Sequence, residues 1–223
     1  MAACPLASWR RICNAVPMSF DLSNVAVLTG DIVKSTKLNR DERGALFAAL
    51  KAGSEAVAAL QAEDPRFTRF SGDSWQMLVR PKLALRACLM MRAHIRQESK
   101  SFETRISVGV GAIEPLSVEG LGASDGPAFQ ASGRGLETLR GTQFFGINTT
   151  DNPVFILSDE ISKQWTQAQA RVLCKSLTKP HPTQDTLASY LGVSRLTVRS
   201  HQIAAGEPAL LAVMAVLEGD SSP

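Results

Sequence analysis

The sequence predicts an α+β protein, a split βαβ, ferredoxin-like sandwich followed by a small all-α region. Three observations predict it. Short apolar runs of strand length alternate with longer stretches whose apolar residues recur at helical spacing. Two of the strand-like runs are separated only by Ser71-Gly72-Asp73-Ser74, which has the composition of a hairpin turn. After Asp159 strand-like runs cease and helical spacing takes over.

Residues 1–22 are expected to be a flexible leader, with Met18 an alternative start; Arg10 and Arg11 have no apolar stretch behind them, so no secretory signal is expected. Val25 to Gly30 is the first strand. Asp41 to Ala62, with Leu46, Leu50, Val57 and Leu60 among alanines, is a helix. Arg66 to Phe70 and Trp75 to Val79 form the hairpin, which puts Asp73 at its tip. Trp75 is expected in the core. Pro81 opens a second helix to about Gln97. Thr104 to Gly111 alternates as a half-buried strand, Ala128 to Leu139 is a third helix, and Val154 to Leu157 is expected as a last strand. The order of elements is β-α-β-β-α-β-α-β, which delimits a first domain at 23–158 and a helical region at 159–223.

Within the helical region, Thr183 to Arg199 has the internal logic of a helix-turn-helix spanning about 183–203. Small Ala188 permits close helix crossing, Gly192 makes the turn and Ser194 caps the second helix. Leu187, Leu191, Val193 and Val198 would fill the space between the helices. Arg195, Thr197, Arg199 and Ser200, with His201, would face outward, where they suit phosphates and base edges of duplex DNA. A helical hairpin used for docking is the alternative.

Composition narrows the classes. The chain has 223 residues, a net charge of +3 and no apolar run long enough to span a membrane, so a cytoplasmic protein without a membrane partner is expected. Cys4, Cys13, Cys88 and Cys174 show no CxxC spacing, which argues against zinc and a disulfide framework. His94 and His181 are given no catalytic role. Asp31 and Asp73 each stand where a strand gives way to a tight turn. Two carboxylates meeting there repel unless a cation joins them, and Mg²⁺ or Mn²⁺, which often arrives with phosphate, is the natural third party.

Four stretches in order, Gly30 to Ser35, Gly72 to Gln76, Arg105 to Gly111 and Asp125 to Arg134, resemble the catalytic domain of class III nucleotidyl cyclases. The chain most resembles the SatD family, which joins such a domain to a C-terminal helical segment. The resemblance implies that Asp31 and Asp73 bind the metals, that Gln130 stands where an asparagine orients the ribose, and that Arg134 stabilises the transition-state phosphate. Ile32, Lys34, Ser35, Thr36, Arg69 and Gly72 would meet the nucleoside triphosphate. It further implies a homodimer in which one subunit supplies the aspartates and the other the Gln130/Arg134 pair. Lys34 stands where cyclases commonly have glycine, and Arg69 where adenylyl cyclases carry a lysine that reads adenine. Two readings follow. One is conversion of a nucleoside triphosphate to a 3′,5′-cyclic nucleotide and pyrophosphate; the other is a non-catalytic, DNA-binding regulator whose first domain senses nucleotide or dimerises.

Overall fold

A computed structural model of the chain describes residues 20–69, 72–117 and 120–220. β1 (Val25–Ile32) leads through a short 3₁₀ turn to α1 (Arg40–Gln61). Asn39 starts that helix with a reciprocal capping box, its side chain accepting from the Glu42 N–H while Glu42 Oε2 accepts from the Asn39 N–H, each at 2.9 Å. β2 (Phe67–Arg69) and β3 (Ser74–Val79) form the expected hairpin, followed by α2 (Ala84–Glu98) and β4 (Thr104–Gly111). Then come α3 (Pro127–Thr138), β5 (Phe145–Ile147) and five consecutive helices: α4 (Asn152–Lys163), α5 (Gln167–Ser176), α6 (Gln184–Leu191), α7 (Arg195–Ala204) and α8 (Glu207–Glu218).

The fold is α+β, built on a five-stranded mixed sheet in the order β2-β3-β1-β4-β5. β1 is central and antiparallel to both β3 and β4, while β5 adds parallel to β4. Side chains alternate across β1. Ala26, Leu28 and Ile32 pack into one core with Leu46 and Leu50 of α1 and Leu89 of α2. Val25 and Val27 pack on the other face with Ala128 and Phe129 of α3. Small residues let α3 sit directly on the strands. A Cβ on Gly109 would lie 2.1 Å from the Ala128 carbonyl oxygen, and one on Gly135 would lie 2.2 Å from Ser107 Oγ. Between them, the buried hydroxyls of Thr29 and Ser132 share a hydrogen bond of 2.7 Å.

Two expectations need correction. Val154 to Leu157 is not a strand but part of α4. Pro153 suits a first helical turn. The buried face of that helix is Phe155, Ser158, Asp159 and Ser162, while Leu157 is 65% exposed, so the apolar run lies partly outside and gives no helical signal. The last strand is instead the three-residue β5. Val193, expected between the two helices, is exposed: Gly192 adopts a left-handed conformation and the Val193 N–H returns to the Ala188 carbonyl, which turns the next side chain outward. Leu187 and Val198 do pack together, joined by Val172 of α5.

The boundary drawn at 158/159 falls inside α4. Trp165, Leu173, Cys174, Leu177, Leu210 and Met214 extend the α1/α2 core without a break, so α5 and α8 are built onto α2 rather than hung from a linker. Buried ion pairs tie the same elements. Arg92 of α2, 0% exposed, meets Glu103 Oε1 at 3.1 Å and Asp159 Oδ1 of α4 at 2.8 Å. Arg86 grips Glu218 of α8 with two nitrogens, at 2.6 and 3.1 Å. Most of the expected leader lies outside the described residues, but its end is ordered: Phe20 packs on the α3-side core and the Leu22 carbonyl accepts from the Ile113 N–H at 2.9 Å.

Candidate functional site

The register that pairs β1 with its neighbours builds the site. Asp31 stands opposite Ser74 of β3 on one side and opposite Arg105 of β4 on the other. Alternation puts Asp31 and Arg105 on the α3 face of the sheet, just beyond the end of α3, where Arg105 Nη1 reaches the Leu139 carbonyl at 3.5 Å. Arg105 holds Asp31 through a two-nitrogen contact, with Nε 2.9 Å from Oδ1 and Nη2 on Oδ2. These hydrogen bonds raise the Arg105 pKa above its ordinary value, and the nearby Asp73 charge adds to the effect. Asp73 is fixed from two directions. Its carboxylate accepts from Ser35 Oγ at 2.5 Å, and its backbone carbonyl accepts from the Ile32 N–H at 3.2 Å. Asp31, Asp73, Ser35 and Arg105 therefore converge at one end of β1.

The floor of this cluster is packed. Trp75 is fully buried, as expected of a core residue, and lies across Gly30, where a Cβ would come within 2.4 Å of its ring. Its Nε1 donates to Thr104 Oγ1 at 3.0 Å, and that hydroxyl donates to the Asp31 carbonyl at 2.7 Å. The turn above it is strained. Lys34 adopts a left-handed conformation at φ 56°, which disfavours a side chain by about 1–2 kcal/mol. Such strain often marks functional turns. Lys34 and Thr36 are exposed, and the Val33 N–H ties the turn to the Glu103 carbonyl at 3.0 Å.

The remaining candidates are placed elsewhere. Arg69 lies on the opposite face of the sheet, its guanidinium 3.9 Å from the centre of the Phe47 ring of α1, and it donates to the Gly72 carbonyl at 2.9 and 2.6 Å. It thus closes the hairpin. Gln130 and Arg134 are exposed one turn apart on α3. Gln130 reaches Asp125 Oδ1 at 3.5 Å, and Arg134 has no hydrogen bond or ion pair among the described residues. Asp125 serves the turn before α3, accepting from the Gly126 N–H at 2.6 Å.

On the helical side, Ser194 caps α7 by accepting from the Thr197 N–H at 3.0 Å, and Thr197 is half-buried. Arg195, Arg199 and Ser200 are exposed, with Arg195 leaning on Gln184 Oε1 at 3.3 Å and near Asp185. Leu196, 75% exposed, and Ile203 share that outward face.

The described residues contain no group of three or more His, Cys, Asp or Glu side chains able to hold a metal by themselves. Two carboxylates nevertheless suit a hard divalent ion that brings phosphate oxygens with it, since Mg²⁺ commonly takes only one or two carboxylates from a protein. Arg105 and the carbonyl of Glu103 are the site residues that sequence reasoning passed over. A cation alternating with Ile106 and Val108 on a central strand was the available signal, because such a charge needs a cross-strand carboxylate. Comparison with protein-family models gives no match, and no curated protein matches the chain. No single helix among the described residues is long and apolar enough to cross a membrane.

Proposed function

We propose that the chain is a cytoplasmic, metal-dependent nucleotide-binding protein whose sheet and first three helices form a ferredoxin-like, nucleotidyl-cyclase-like domain, and that as a homodimer it converts a nucleoside triphosphate to a 3′,5′-cyclic nucleotide and pyrophosphate. The observation that carries this reading is the convergence of Asp31 and Asp73 around Arg105 at the end of β1. Asp31 and Asp73 would hold Mg²⁺ or Mn²⁺. When bound, the ion supplies charge neutralisation on the phosphates and makes the attacking ribose hydroxyl more acidic.

The chain's own residues supply the rest. Ser35 positions the Asp73 carboxylate. Arg105, which pairs with Asp31 through two nitrogens, would offer the same two-nitrogen geometry to phosphate oxygens if Asp31 held the ion. Lys34, exposed on its strained turn, adds a second cation toward the triphosphate. Gln130 and Arg134 need a partner subunit. Their side chains point to solvent on α3, free to orient ribose and stabilise phosphate charge in a site completed by the second copy. Incubation with each of the four nucleoside triphosphates and Mn²⁺ should yield cyclic nucleotide and pyrophosphate from at least one, and Asp73→Ala should abolish it. No product from any of them would sink the catalytic reading.

A second reading has its own observation: the Ser194-capped α7 presents Arg199 and Ser200 outward from what we infer to be a helix-turn-helix with α6, as a DNA reader would. The chain would then be a SatD-like regulator. Duplex binding that weakens steeply with salt and is lost on Arg195→Ala with Arg199→Ala supports it, whereas salt-insensitive binding, or binding that survives both changes, removes α7 from that role.

A further inference from the structure

On the far side of the sheet from Asp31, α1, α2, α5 and α6 line a solvent-open cavity of about 430 Å³, within the size range of small-molecule sites. Its lining differs from the surrounding core. Arg171 and Lys175, one turn apart on α5, are both exposed, and like charges at that spacing repel unless an anion joins them. Lys175 Nζ sits 4.6 Å from the centre of the Tyr190 ring of α6, an aromatic surface 65% exposed at the cavity edge. Gln97 contributes an amide.

His94 sets the polarity of the inner end. It is only 7% exposed, and its Nδ1 faces the Met90 carbonyl at 2.8 Å, so that nitrogen carries the proton and Nε2 is left as an acceptor. Nε2 has no hydrogen-bond partner among the described residues. Burial lowers the His94 pKa below its ordinary value and Lys175 reinforces this, while the Met90 carbonyl and Glu98 oppose it. The neighbouring Cys174 thiol is pushed up to about 12 by burial, which leaves it a packing group rather than a nucleophile.

A buried acceptor, two exposed cations and an exposed flat ring around one cavity together suit one kind of ligand. It has N–H or O–H donors at one end, a dianionic group at the other and a planar ring. We propose that this cavity is a second ligand site that takes a nucleoside monophosphate, with its phosphate on Arg171 and Lys175, its ring against Tyr190, and a hydroxyl or amino group donating to His94 Nε2. The site is separate from the Asp31/Asp73 cluster and does not depend on the reading given for it. Because α6 contributes Tyr190 while α2 contributes His94, occupancy would bridge the α2 layer to the α6/α7 pair.

The test is calorimetry on the full chain with the four nucleoside 5′-monophosphates, ribose 5-phosphate and inorganic phosphate. At least one nucleotide should bind saturably. The surface variant Arg171→Glu/Lys175→Glu should weaken it about tenfold or more, as expected for loss of charge-assisted hydrogen bonds. Tyr190→Ala should weaken nucleotide binding and leave inorganic phosphate unaffected, and Asp73→Ala should change neither. No saturable binding, unchanged affinity in the double variant, or inorganic phosphate binding as tightly as every nucleotide would each overturn the proposal. Loss of binding in Asp73→Ala alone would assign the nucleotide to the strand-end cluster and overturn it equally.

Discussion

Arginine and carboxylate meet twice around the start of β4, and the two meetings have opposite characters. Glu103, the residue before the strand, lies in a closed network. Arg92 and Arg96 both bond to it, Arg92 also reaches Asp159 and Ser162 of α4 and rests 3.9 Å from the centre of the Phe145 ring. Asp159 in turn accepts from the Phe144 N–H at 2.7 Å, which fixes the approach to β5. Two residues along, Arg105 holds Asp31 in a pair whose arginine side chain is about one-third exposed, 35% against 0% for Arg92. The chemistry is the same and solvent access differs. A buried charge must keep its partners, whereas an open one can exchange them for a ligand.

The sharpest way to break that contrast is Arg92→Met. It leaves Asp159 and Glu103 buried with one cation fewer, and about 3–5 kcal/mol of stability should be lost in urea unfolding. Adding Asp159→Asn should restore part of that loss, because the amide oxygen can still accept from the Phe144 N–H while the orphaned charge is gone. Arg86→Met should fall lower, at about 1.5–3 kcal/mol, since Glu218 keeps Lys179 at 2.5 Å as a second cation. A loss as large as that of Arg92→Met would mean that Lys179 is no substitute for Arg86 and that burial alone grades the two pairs, Arg86 being 4% and Arg92 0% exposed.

The same contrast explains what was legible in the sequence. β1, the hairpin, α1, α3 and β4 follow from apolar periodicity, and Asp31 and Asp73 stand at turns whose composition is visible in the chain. α4 was hidden because its inward face is mostly polar: beside Phe155 it carries Ser158, Asp159 and Ser162, the last two bonded to Arg92, so no continuous apolar stripe reveals the helix. β5, three residues long and parallel to β4, depends on a non-local partner. Arg105 could be read as a charged residue on a strand, but its attachment to Asp31 requires the β1–β4 register, which no local pattern specifies. Arg69 teaches the complementary lesson, for motif position placed it near the nucleotide while strand alternation sends it to Phe47.

Arg105→Ala should be the mildest of these changes in stability, about 0–1 kcal/mol, because water already screens the pair. Its effect on binding should be larger and should split by ligand. With the guanidinium gone, Asp31 no longer has to surrender a partner, so Mn²⁺ alone should bind more tightly. The Mn²⁺–nucleoside triphosphate complex should bind less tightly, because the cation that would face the phosphates is lost. Mn²⁺ titrations with and without nucleotide measure both arms on one variant. Stability lost on the scale of Arg92→Met would make Arg105 a structural residue like its buried neighbour. Equal shifts in both titrations would mean that it screens the site as a whole and does not alternate between carboxylate and phosphate.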